Sequence, residues 1–213
     1  MTIKAAEGDG AISVSGDINL HIRGYVDGTC CNSLKGGTLT VIKDDGFYRP
    51  FTGTCEIKCD DVSEIIMQYF HQSEQIPTAV SVGVNIGEDG MCRSAGGVIM
   101  QLLPDTSQEN MDKAENAMQN FVKAADVVEK FGADGIITNF FGSEINKDGL
   151  YLSYPDYICN CSRQKIKNIL LTMGKSQLMS IINEQGDVCV HCHYCNTDYR
   201  FVKEDIEELF KDE

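Results

Sequence analysis

The segment VCVHCHYCNTDYRF, residues 188–201, carries Cys189, His191, Cys192, His193 and Cys195 in one short stretch. Each of these side chains can bind a transition metal, and a closed tetrahedral zinc site needs four ligands. Upstream, Cys159 and Cys161 form a C-x-C pair. Cys192 and Cys195 form a C-x-x-C pair after an interval of 30 residues. Two such pairs supply four thiolates, the donor set of closed structural zinc sites. Soft thiolates also suit iron–sulfur clusters, but those use other spacings, so zinc is the expected metal. Cys189, His191 and His193 then become surplus. The histidines are expected as solvated or supporting groups. Cys189 is expected as a buried, inert strand thiol, with at most a minor ligand-exchange role.

A four-thiolate site has two uses. A small unit has a thin core, and metal binding supplies folding energy on the order of 10–16 kcal/mol in comparable sites. That makes the site a staple. The same dependence allows a switch, because oxidised thiolates no longer hold a metal. Spacing alone favours the staple.

The elements around the cysteines read as a compact unit. DYICNCS ends a strand at the first pair, RQKIKNILLTMG reads as a helix stopped at Gly174, and QLMSIINEQ as a second helix stopped at Gly186. VCVHC and DYRFV read as strands around a knuckle, and KEDIEELF as a last amphipathic helix. The first hundred residues read mostly as strands and turns. AISVSGDINLHIRGYV alternates around Gly16 and Asp17, and GGTLTVIKDDGF ends at an Asp45-Gly46 turn. Asp60 or Asp61 caps a helix whose apolar face is Val62, Ile65, Ile66, Tyr69 and Phe70. Glu74 lies at its end, where polar residues are expected to fasten the turn into Pro77 rather than act as an acid or base. AVSVGVNIG and AGGVIMQLLP read as two strands, with Gly96 and Gly97 marking a bulge or close approach. Thr106-x-x-Glu109 has the form of a capping box, opening a helix expected to run to about Lys130 before FGADG breaks it. The fold class is therefore α+β. A β-rich core domain with packed helices is expected at 1–123, a helical linker at 124–156, and a small zinc-binding α/β domain at 157–213.

Composition narrows the function. The formal net charge is −14, which opposes a nucleic-acid partner because such binding rests on Lys and Arg neutralising phosphates. No apolar run approaches the length of a membrane span, so no membrane partner is expected. The N-terminus MTIKAAEGDG has no basic n-region or apolar h-region, so cytoplasmic residence is expected. Ten cysteines in a reducing compartment point to metal or redox roles rather than static disulfides. The alternatives are a zinc-stapled interaction module and a thiol–disulfide oxidoreductase using Cys192 and Cys195. The latter expects its motif at a helix N-terminus.

The residues flanking the cysteines resemble the 33 kDa chaperonin family, a redox-regulated holdase. CNCSRQKIKNIL and CHYCNTDYRFVKEDIEEL look like the family's two cysteine segments. IRGYV, GTLTVIKDDG, YFHQSEQIPTAVSVGV and AGGVIMQLLP look like its core blocks, in the family's order. The resemblance covers nearly the whole chain, though EGDGAISVSGD begins almost at once, so an N-terminal segment of the family's core is expected to be missing. Cys30, Cys31, Cys55, Cys59, Cys92 and Cys189 fall outside the family's pattern. They are expected to be mostly buried or inert, with a second oxidation-sensitive set as the alternative.

The resemblance implies an ATP-independent chaperone, not an enzyme, and no Walker-type loop is present. It implies that Cys159, Cys161, Cys192 and Cys195 hold one zinc per chain in the reduced, inactive state. It further implies disulfides Cys159–Cys161 and Cys192–Cys195 on oxidation, with zinc release, unfolding of the C-terminal domain and linker, and dimerisation. The oxidised form then binds unfolding or oxidatively damaged proteins under stress.

Overall fold

The computed structural model describes residues 1–4, 10–27, 33–119, 124–140 and 150–211, with backbone alone for 133–140. Cys30 and Cys31 lie outside the described residues. The chain divides into two compact units. One comprises Met1–Ala11 and Thr29–Leu152, the other Ile12–Gly28 and Ser153–Glu213.

The first unit contains β1 (Thr2–Lys4), β4 (Thr38–Lys43) and β5 (Phe51–Glu56), with β4 antiparallel to both neighbours. The β4–β5 connection is built by side-chain acceptors. Asp44 Oδ1 accepts from the Gly46 N–H at 2.9 Å, and Asp45 Oδ1 accepts from Phe47 and Tyr48. Gly46 takes φ +75°, a conformation costly for a residue with a Cβ. Helix α1 (Val62–Tyr69) starts where Asp61 accepts from the Glu64 N–H, and buries Ile65 and Tyr69. It widens into a π-helical turn, Phe70–Glu74, closed by left-handed Gln75. Glu74 reaches Lys43 of β4 as an ion pair, so it fastens the turn that leads into Pro77 by tying it to the sheet.

Strands β6 (Thr78–Ile86) and β7 (Cys92–Gln101) form an antiparallel hairpin. Its irregularity falls at Asn85–Ile86, not at the glycines. Gly83 and Gly96 serve close approach instead, because a Cβ there would press on Ala125 and Val128 of the helix packed across the hairpin. Helix α2 (Gln108–Gln119) opens one residue later than expected: Ser107 Oγ accepts from the Asn110 N–H, while the Thr106 hydroxyl donates to the Leu103 carbonyl at 2.6 Å. The break expected at FGADG falls at Gly132, φ +66° and ψ 177°, inside helix α3 (Ala124–Phe140). One glycine absorbs the break and the helical hydrogen bonding resumes beyond it.

The second unit joins two regions distant in sequence. Strand β3 (His21–Asp27) lies between β2 (Ala11–Gly16) and β8 (Asp156–Tyr157), the latter parallel to it. The β2–β3 turn is held by Asp17 Oδ1, which accepts from Asn19 and His21, with Leu20 left-handed at φ +64°. Helices α4 (Arg163–Met173) and α5 (Lys175–Gln185), strands β9 (Val188–Cys192) and β10 (Thr197–Phe201), and helix α6 (Lys203–Leu209) follow. Gly174 and Gly186, at φ +83° and +90°, stop the two helices where the sequence placed the breaks. Their apolar faces meet the hairpin in one core of Ile166, Leu170, Leu178, Ile182, Val188, Phe201 and Ile206. Among the described residues, no helix is long and apolar enough to cross a membrane.

Candidate metal centre

Each cysteine pair is set by a local device. Cys159 and Cys161 leave β8 and lead into α4, whose N-cap Ser162 accepts from the Lys165 N–H at 3.2 Å. Cys192 ends β9, and Cys195 lies in the tight connection to β10. There Asn196, left-handed at φ +54°, donates its N–H to the Cys192 carbonyl at 2.8 Å. Asparagine tolerates that conformation better than most residues.

The four sulfurs converge, all within 4.8 Å of one another. Cys159 Sγ lies 3.6 Å from Cys192 Sγ, and Cys161 Sγ lies 3.2 Å from Cys195 Sγ. A tetrahedron of thiolates about 2.3 Å from a central zinc has edges of about 3.8 Å. The observed spacings lie close to that edge length, and the donor set fits a soft divalent ion. No other group of three or more ligating side chains close enough to share an ion occurs among the described residues.

Strand alternation explains why the neighbouring ligand types stay out. Register pairs Thr197 with Cys192, Tyr199 with Val190 and Phe201 with Val188 on one face. Arg200 opposite Cys189 and Asp198 opposite His191 occupy the other face. Cys189 is thus exposed, correcting the expectation of a buried thiol: it sits on the solvent side of a two-stranded ribbon. His191 Nδ1 pairs with Asp198 Oδ1 at 2.7 Å. His193, beyond the strand end, stacks on Tyr25 with ring centroids 5.2 Å apart. Elsewhere, Cys55 is buried, Cys59 half-buried and Cys92 exposed.

Two supporting groups emerge only from the folded arrangement. The Tyr199 hydroxyl lies 3.1 Å from Cys161 Sγ, and Thr197 Oγ1 lies 3.2 Å from Cys195 Sγ. Their signal was the period-2 face Thr197, Tyr199, Phe201, which carries both from the sulfurs to the core. The Thr197 hydroxyl and then the Cys161 thiol bring Cys195 down to about 6. Cys161 is pushed up to about 12: the Tyr199 hydroxyl favours its thiolate, but Cys195, burial and the other two sulfurs outweigh it. Cys159 lies below the usual thiol value; burial opposes ionisation, and hydrogen bonds from the Cys161 N–H and neighbouring thiols overcome it. Four like charges this close cannot all form unaided, so the protons are shared until a cation replaces them.

The knuckle is also tied to β3. The Arg23 guanidinium lies 4.4 Å from the Tyr194 ring centroid, and Tyr25 meets Tyr194 edge-on at 4.8 Å. The Tyr157 hydroxyl lies 2.7 Å from the Tyr194 carbonyl and 2.8 Å from that of Gly24.

The family model described as Hsp33 protein matches residues 1–202. A 33 kDa chaperonin of Bacillus cytotoxicus is 33% identical over 229 aligned positions, covering 99% of this chain and 78% of the relative. One from Caldanaerobacter subterraneus subsp. tengcongensis is 36% identical, covering 84% of this chain and 60% of the relative. The crystal structure of a 33 kDa chaperonin (heat shock protein 33 homolog) from Thermotoga maritima superposes with a TM-score of 0.79 at 29% identity, over 97% of this chain and 76% of that one. With a cysteine cluster suited to a redox switch and an α+β fold shared with that structure, the chain belongs to the Hsp33 family of redox-regulated chaperones, which are not enzymes.

Proposed function

We propose that Cys159, Cys161, Cys192 and Cys195 hold one zinc ion per chain in the reduced state, and that their oxidation turns the chain into an ATP-independent holdase. The convergence of four sulfurs within 4.8 Å carries this reading. All-thiolate ligation supports it further, because each ligand is itself the oxidisable group. The cytosol, which keeps thiols reduced, is the compartment in which such a site would be loaded.

The bound metal would supply charge neutralisation for four thiolates and a cross-link between β8–α4 and the β9–β10 knuckle. Peroxide or hypochlorite takes two electrons from each cysteine pair, and one disulfide forms per oxidant molecule reduced. Near-neighbour pairing, Cys159–Cys161 and Cys192–Cys195, is what the resemblance to the family implies, and one and two intervening residues keep each pair together once the cage opens. Sulfurs in disulfides no longer ligate. The region at 157–213 then loses its staple, the linker at 124–156 unfolds with it, and the exposed apolar surface takes unfolding proteins and a second oxidised copy.

Peroxide titration with a chromophoric zinc chelator, run beside light scattering of a heat-unfolded client, tests this. The expected result is about one zinc per chain released and aggregation suppressed only after release. Retained zinc, or release without suppression, would sink the reading. Peptide mapping of the oxidised protein checks the pairing; a Cys159–Cys192 disulfide would overturn it.

A further inference from the structure

We propose that the outer edge of β3 is a strand-docking site for an extended segment of an unfolded polypeptide, covered in the closed state by residues 156–158. The inference rests on the chaperone reading above and names how a client would be held.

The cover is thin. β8 pairs with β3 at two positions only, His21 with Asp156 and Ile22 with Tyr157. The Asp156 N–H donates to the Leu20 carbonyl at 3.0 Å and the Ile158 N–H to the Ile22 carbonyl at 3.1 Å. At the next edge-facing position no backbone group of the cover takes over. The Tyr157 hydroxyl stands there instead, 2.8 Å from the Gly24 carbonyl, and it also bridges to Tyr194 between the two knuckle cysteines. Tyr157, Ile158 and the preceding Tyr154 are 59%, 37% and 77% exposed, so little apolar burial secures the segment. It also leads within two residues into Cys159. Its closure therefore depends on the knuckle at both ends: through Tyr194 and through the first ligand pair.

The edge beneath suits a strand of any sequence. Leu20, Ile22 and Gly24 present main-chain groups to it, which recognise a backbone and not a side chain. Ile22 and Val26 are 45% and 64% exposed, and Val14 of the neighbouring β2 is 41% exposed. Val14 faces the same side, since a Cβ on Gly24 would lie 3.1 Å from Val14 Cγ1. An incoming strand would find hydrogen-bonding partners along the edge and an apolar stripe beside them. Unfolded chains offer both, whereas folded surfaces rarely present an unpaired extended segment.

Amide exchange of the full-length protein, read by NMR at Ile22 and Gly24, tests the site in three states, with client light scattering measured on the same samples. Exchange is expected to be about tenfold faster or more after oxidation, and slow again when a reduced, carboxymethylated polypeptide is bound. The Tyr157→Phe protein, reduced and metal-loaded, should show faster exchange at Gly24 with unchanged zinc content. Protection that survives oxidation without client overturns the site; if that protection scales with protein concentration, a second copy occupies the edge. Fast exchange persisting while client is held places the client elsewhere and overturns it too. Failure to suppress scattering overturns the chaperone reading and the docking site together.

Discussion

Tyr199 joins two layers that a ligand count leaves out. Its hydroxyl lies 3.1 Å from Cys161 Sγ, and its ring packs against the Phe201 core. Tyr199→Phe keeps the ring and removes the hydroxyl. Groups that orient metal ligands are worth about 10–100-fold in affinity, so chelator competition should show zinc held at least about tenfold more weakly, with helix content intact. Protonation gives a second expectation at this scale. Without metal, Cys161 keeps its proton up to about 12 and Cys195 ionises near 6. Loading at neutral pH must therefore expel the Cys161 proton, which becomes easier as pH rises. Below about pH 6 Cys195 must lose one as well, so affinity should rise across about pH 6 to 8 and fall most steeply at its lower end. Competition titrations at fixed chelator strength check the slope; a flat profile would contradict it.

Among the elements, the helix–hairpin contacts are the most sensitive to volume. Phe201 is fully buried at the centre of the second unit's core, against α4, α5 and α6. Arg163 lies over its ring at 4.3 Å and binds Asp205 at 2.9 Å, which ties α4 to α6 across it. Phe201→Ala should cost about 3–5 kcal/mol, read as a lowered unfolding midpoint of the metal-loaded protein. In the first unit, Gly96→Ala should cost about 1–3 kcal/mol, because the added methyl overlaps Val128 of α3. Gly90→Ala meets no neighbouring atom and is penalised only by its φ of +76°. Comparing the two by denaturant unfolding separates crowding from backbone strain. Close approach was one of two readings the sequence offered for Gly96, and only the packing of α3 on β6 and β7 decided it. The cap of α2 moved for a related reason: Thr106 and Ser107 both suit the role, and the Leu103 carbonyl captured the Thr106 hydroxyl.

For the whole molecule, the two units should respond differently to metal removal. Chelation takes away folding energy on the order of 10–16 kcal/mol from a unit whose core is seven buried side chains. Helix signal from α4, α5 and α6 should be lost, while exchange protection persists in β4 and β5, whose unit holds no part of the cysteine cluster. Circular dichroism with amide exchange checks this; loss of β4 protection on chelation would show that the units share one cooperative transition. Much of this was legible in the chain. Four thiolates at C-x-C and C-x-x-C spacing determined the site's donor set, and Gly174 and Gly186 determined where its helices stop, because both depend on local chemistry. Alternation in DYRFV held the face that carries Tyr199. The tertiary structure alone decided that Glu74 pairs with Lys43, and that residues 12–28 belong with the cysteine cluster rather than with the strands that follow them. Those outcomes depend on which segments meet across 31 residues of chain in the first case and more than a hundred in the second, and no local spacing encodes that.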